Sequence, residues 1–228
     1  MRTMSAQLPP PRDTAKNTTS AAPARVTVHL VRLDADLEAA GAAWLPDADR
    51  LRAGAIRCPA RRAEFLAARS FLRSLLASRL GSPAGTVSII HGLDGKPRLF
   101  GGKIEFNLSR RDRWCAVALS DDCPVGVDIE PVRPFSGMDR VVAEFFPPQA
   151  RAAFSAARPE EQSTVFFRWW TLLEAAVKAA GRSLDAAVSC LDGVSHQSSE
   201  AIAGLALAVA AQCDSPITVD WHLQTDKI

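Results

Sequence analysis

The chain has 228 residues, 47% of them hydrophobic, and a formal net charge of +2. That is enough for one large domain or two small ones around a real core, and the near balance of charge weighs against a protein that grips nucleic acid by bulk charge. Five cysteines with no CxxC spacing weigh against a disulfide framework and a zinc site. The expectation is reduced thiols in a cytoplasmic protein. No apolar run is long enough to cross a bilayer, so no membrane partner is expected.

Residues 1–24 are rich in Pro, Ser, Thr and Ala and read as a disordered tail. Val26 to Leu33 reads as a strand with mixed character on both faces, as in a sandwiched position. Leu37 to Ala55 reads as short helices broken at Gly41 and Pro46. Pro59 opens a longer helix, Ala60 to Leu80, with Phe65, Leu66, Leu72, Leu75, Leu76 and Leu80 as its apolar stripe and Gly81 as its stop. Arg57, Arg61, Arg62, Arg69 and Arg73 lie along it. They form either a solvated face or, as a group, a phosphate-binding one.

Val87 to His91 reads as a strand and Gly92 to Gly95 as a turn. Ile104 to Ser109 and Trp114 to Ser120 follow as strands. After the acidic strand taken up below, Gly137 to Phe146 and Pro148 to Ala157 read as short helices. Pro159 opens a long helix with acids in its first turn, and Gly181 closes it. Val188 to Leu191, Ala201 to Ala210 and Ile217 to Leu223 read as strands completing a second half. A buried helix stays open for the middle one. The order strand, helices, strands occurs twice. The fold class is therefore α+β, in two similar halves, 25–120 and 121–228.

Two stretches carry chemistry. In Val125-Gly126-Val127-Asp128-Ile129-Glu130, apolar residues alternate with Gly126, Asp128 and Glu130. On a strand, both carboxylates project from one side, where they could share a hard cation such as Mg²⁺ or simply meet water. In the helix through Phe166 to Ala179, Glu174 and Lys178 are four apart and share a face. Three carboxylates and a lysine suit a metal-bound anionic substrate such as a pyrophosphate.

Together, Gly126-Val127-Asp128-Ile129-Glu130 and Trp170-Thr171-Leu172-Leu173-Glu174-Ala175-Ala176-Val177-Lys178-Ala179 resemble the signature pair of 4′-phosphopantetheinyl transferases of the surfactin-synthetase type. Gly95-Lys96-Pro97 and Phe106-Asn107-Leu108-Ser109-Arg110-Arg111 are similar to two further family segments. The resemblance implies two α/β halves related by a pseudo-twofold, with coenzyme A in the cleft between them. It also implies transfer of the phosphopantetheine arm of coenzyme A to a serine of an acyl- or peptidyl-carrier protein, by a monomer.

By resemblance, Asp128, Glu130 and Glu174 are the Mg²⁺ ligands, and Glu174 and Lys178 are catalytic. Arg61, Arg62, Lys96, Pro97, Ser109, Arg110, Asp128 and Lys178 contact coenzyme A. Two positions depart from the pattern. Arg110 stands for the family's histidine, keeping a cation there. Leu173 stands for its first lysine, which removes a positive charge near the reacting phosphates, worth about 10²–10³ in rate for a preorganised donor. Either another cation compensates, with Arg110 or Arg168 the candidates, or the enzyme is slow; the expectation is compensation by Arg110. The rival readings are a degenerate homologue that binds coenzyme A or a carrier without transfer, and a nucleic-acid module on the arginine-rich helix.

Overall fold

The computed structural model describes residues 22–92, 95–199 and 204–224. The tail lies outside them up to residue 21. Strand β1 (Ala24–Arg32) places Val26, Val28 and Leu30 on a fully buried face. Three helices follow: α1 (Ala35–Ala42), α2 (Asp47–Gly54) and α3 (Pro59–Leu80). Next come a small hairpin, β2 (Ile89–His91) with β3 (Pro97–Leu99), and a larger one, β4 (Glu105–Arg111) with β5 (Trp114–Ser120).

The second half opens on β6 (Val125–Pro131). It continues with helices α4 (Met138–Phe145), α5 (Pro148–Ala156), α6 (Pro159–Ala180) and α7 (Ala187–Leu191). Strands β7 (Ser195–Ser199), β8 (Leu205–Ala211) and β9 (Ile217–Gln224) complete the described chain.

The strand-pairing order repeats. In the first half it is β4-β5-β1, in the second β7-β8-β6, all antiparallel. Each half has one helix of 22 residues, α3 and α6. Each begins with Pro, whose missing N–H costs nothing in a first turn, and each ends at a glycine with left-handed φ, Gly81 and Gly181. This is the α+β arrangement of two similar halves read from the sequence.

Alternation then sorts the chain into layers. Val26, Val28, Leu30, Ala116 and Ala118 of the first sheet meet Val125, Val127, Ile129, Leu207 and Val209 of the second in one core. The opposite face of β5, Cys115, Val117 and Leu119, packs on Phe71, Leu72 and Leu76 of α3. The opposite face of β8, Ala206, Ala208 and Ala210, packs on α6. Those three alanines let α6 lie close to its sheet.

Several elements differ from the sequence reading. Gly41 does not break a helix. It lies inside α1, where a Cβ would stand 2.8 Å from that of Ser70, so it is a point of close approach to α3. Arg73 belongs to the buried side of α3, while Leu80 is exposed. Val188 to Leu191 is helical, part of α7, a stretch too short for its periodicity to decide. Ala201 to Ala210 resolves in favour of a strand from Leu205 onward, residues 201–203 lying outside the described ones. The polar strand β7 carries no apolar alternation to find it by. Finally, β9 pairs parallel with β1 and joins the first sheet rather than the second.

Candidate active site

The site begins with an absent side chain. A Cβ on Gly126 would stand 2.0 Å from the Ala175 carbonyl oxygen and 2.4 Å from the Ala179 nitrogen. Glycine alone lets the α6 backbone touch β6. That contact brings the helix face bearing Glu174 and Lys178 over the strand face bearing Asp128 and Glu130.

Asp128 is the buried centre, its side chain only 4% exposed. Its Oδ1 accepts hydrogen bonds from the Lys178 ammonium at 2.5 Å and the Ser109 hydroxyl at 2.8 Å. Its Oδ2 is buried without a hydrogen-bond partner, a costly state for a carboxylate oxygen. Lys178 also stands 3.6 Å from Glu174 and donates to the Val127 carbonyl. Burial, and then the charge of Asp128, push the Glu174 carboxyl above its ordinary range. Burial also raises Glu130, against the pull of Arg111, with Asp128 and Glu174 adding to the rise. The three acids therefore feel one another, although they come from a strand and a helix separated in sequence.

The third wall is β4. Alternation puts Asn107, Ser109 and Arg111 on one of its faces. The Asn107 Oδ1 accepts from the Val127 N–H, Ser109 donates to Asp128, and the Arg111 Nε donates to Glu130 at 2.8 Å. Asn107 and Arg111 are the site residues that sequence reading missed. The signal available was the polar-apolar alternation of Phe106-Asn107-Leu108-Ser109-Arg110-Arg111. A tight turn fixes the end of this hairpin. Asp112 and Arg113 both have positive φ, 47° and 65°, the geometry of a two-residue hairpin loop whose twist matches its strands. The Arg113 guanidinium ties the turn to the Leu33 carbonyl.

The remaining candidates fall elsewhere. Arg110 points to the opposite side of β4 and lies over the Phe65 ring of α3, 5.5 Å from its centroid. Arg61, four residues before Phe65, shares its helix face and is exposed. Arg62 is spent on the Ile56 carbonyl. Arg69 and Arg73 do not join a phosphate-binding group, because both are held by buried Asp49 at 2.8 Å. Lys96 is buried, and its ammonium bonds the carbonyls of Val125 and Ala179. It caps the last turn of α6 at the end of β6 away from Glu130, and Pro97 starts β3 beside it. Leu173 is fully buried in the core under α6. It does not face the carboxylates, and Arg110 does not lie on their side of β4.

The donor set is all carboxylate oxygen, which suits a hard divalent cation such as Mg²⁺. Among the described residues the acids are not drawn into a ready metal cage. Lys178 sits against Asp128 and Glu174, and Arg111 against Glu130. Three acids against two cations, with one buried oxygen left unpaired, nonetheless fit a further positive charge.

Comparison with known proteins points to a transferase family. A family described as the 4′-phosphopantetheinyl transferase superfamily matches residues 124–226. The 4′-phosphopantetheinyl transferase HetI of Nostoc sp. is 32% identical, over 68% of this chain and 68% of that one. The AcpT transferase of Salmonella typhimurium is 39% identical over 54% of this chain and 61% of its own length. The AcpT transferase of Escherichia coli is 35% identical over 74% of this chain and 85% of its own.

Proposed function

Because the chain belongs to the 4′-phosphopantetheinyl transferase superfamily, we propose that it moves the phosphopantetheine arm of coenzyme A onto a serine of an acyl- or peptidyl-carrier protein, with Mg²⁺, in the manner of the surfactin-synthetase type. The observation that carries this reading is the convergence of Asp128, Glu130 and Glu174 around Lys178. Asp128 through its unpaired Oδ2, with Glu130 and Glu174, would hold the ion. The ion would supply charge neutralisation and orientation of the diphosphate.

The chain's own groups do the rest. The carrier serine attacks the β-phosphorus of the diphosphate, and adenosine 3′,5′-bisphosphate leaves. Glu174 takes the serine proton. Lys178 already lies between Asp128 and Glu174, and it moves its ammonium onto the diphosphate as charge grows on the leaving phosphate. Arg110, held on Phe65, and Arg61 on the same flank form an exposed cationic patch for the 3′-phosphate. Lys96 acts here by fixing the end of α6, not by touching phosphate.

The degenerate-homologue reading rested on Leu173; against it stand the converging acids and the transferases that the chain resembles. The nucleic-acid reading loses Arg69 and Arg73 to Asp49. The site is complete within one chain, and we take the active unit to be a monomer. No described helix is long and apolar enough to cross a membrane, and we place the activity in the cytoplasm. The test is a mass assay. Incubation with coenzyme A, Mg²⁺ and an apo-carrier should add one phosphopantetheine to the carrier, and Glu174→Ala should abolish the gain. A carrier of unchanged mass across a panel of carriers would defeat the proposal.

A further inference from the structure

Arg111 is the charged side chain at the acid cluster that this reading leaves unemployed. It is half-exposed, and its Nε donates to the Glu130 carboxylate at 2.8 Å. The guanidinium carries further N–H donors beyond Nε, and its planar fork matches phosphate oxygens two at a time. Its charge weakly opposes the rise that burial and Asp128 impose on the Glu174 carboxyl. It therefore stands at the exposed edge of the cluster, paired with Glu130. Its position is not left to chance. Ser109, two residues earlier on the same face, is bonded to Asp128, and the next two residues form the turn tied to Leu33.

We infer that Arg111 is a diphosphate-gripping residue that holds Glu130 while the site is empty of substrate and transfers its guanidinium to the diphosphate when the metal-bound substrate enters. The inference rests on the transferase reading above and deepens it. Two consequences follow, and they point in opposite directions. Without Arg111, Glu130 is released, so a divalent ion alone should bind more tightly. The diphosphate loses a charged donor, so coenzyme A should bind and react less well.

The test uses the full chain with Arg111→Ala and Arg111→Lys. Calorimetric titration with Mg²⁺ or Mn²⁺ alone should give tighter binding for Arg111→Ala than for the unchanged protein. Transfer from coenzyme A to an apo-carrier should fall on the order of 10²-fold in kcat/KM, with Arg111→Lys in between. The same penalty should appear with dephospho-coenzyme A, which keeps the diphosphate and lacks the 3′-phosphate. Metal binding that weakens or stays level in Arg111→Ala would reduce Arg111 to a structural role. A penalty that vanishes with dephospho-coenzyme A would move it to the 3′-phosphate. Either result overturns the inference. The transferase reading fails separately, if the unchanged protein itself does not modify any carrier.

Discussion

Gly126→Ala tests the contact from which the site is built. The added methyl would meet the Ala175 oxygen at 2.0 Å, the Ala179 nitrogen at 2.4 Å and the Lys178 Cβ at 2.9 Å. Two of these are helix backbone, which no rotamer change can clear. Ordinary carbon contacts begin near ~3.5 Å, so α6 must back away by about 1 Å or more. Overpacking of this kind costs about 1–3 kcal/mol. In a chain of this size, about 2–4 °C of Tm goes with each kcal/mol. The functional loss should be larger than the stability loss. Ala175 and Ala179 are the neighbours of Glu174 and Lys178, and a misplacement of about 1 Å can cost ~10²-fold in rate. The assays are thermal unfolding and carrier modification under single-turnover conditions. Gly54→Ala is the control, because a Cβ there meets nothing within 4 Å. It should leave transfer unchanged and raise stability by roughly 0.4–1 kcal/mol. A Gly126→Ala protein with normal Tm and normal transfer would refute the close-contact argument.

Other outcomes follow from the same geometry. Glu174→Gln should abolish transfer yet raise the Tm of the metal-free protein at neutral pH, because burial and Asp128 disfavour the ionised carboxylate. The linkage has a definite sign. Raised folded pKa values at Glu130 and Glu174 contribute stability below the ordinary 4.5 that is lost as pH rises through the raised values, and added Mg²⁺ should restore it. His29, stacked on His222 at 4.7 Å, has its pKa lowered from 6.5 to about 4 by burial and by the charges of His222 and Arg79. Its contribution is present above 6.5 and lost as pH falls toward 4. Chemical denaturation of His29→Gln across that window should show a flatter profile. Asp49→Ala leaves Arg73 buried without its carboxylate partner and should cost about 3–5 kcal/mol by denaturant titration.

The strand and helix that carry the acids were legible because each advertised itself twice. β6 showed strict alternation, and α6 showed a proline start, an acidic first turn and a glycine stop. Their meeting was not legible. Gly126 reads as a weak strand residue until its neighbour is known, and only then as the point of contact. Arg110 and Arg111 are adjacent and chemically alike, so residue type alone does not say which faces the acids. The alternation of β4 decides it for Arg111. Arg69 and Arg73 looked like two more exposed cations because the acid that claims them, Asp49, lies some twenty residues away on another helix. Lys96 was read as a phosphate contact, and the carbonyls that hold it come from two distant elements. The parallel partner of β9 was out of reach for the same reason, since its pairing spans nearly the whole chain.

The central claim is that Asp128, Glu130 and Glu174 form a single site for one divalent ion. Electron paramagnetic resonance of Mn²⁺ titrated into the protein with coenzyme A measures this directly. One ion should bind per chain, with affinity lost in Asp128→Asn and in Glu174→Gln while Asp139→Asn, an acid at the start of α4, binds normally. Equal binding in all four proteins would contradict the claim.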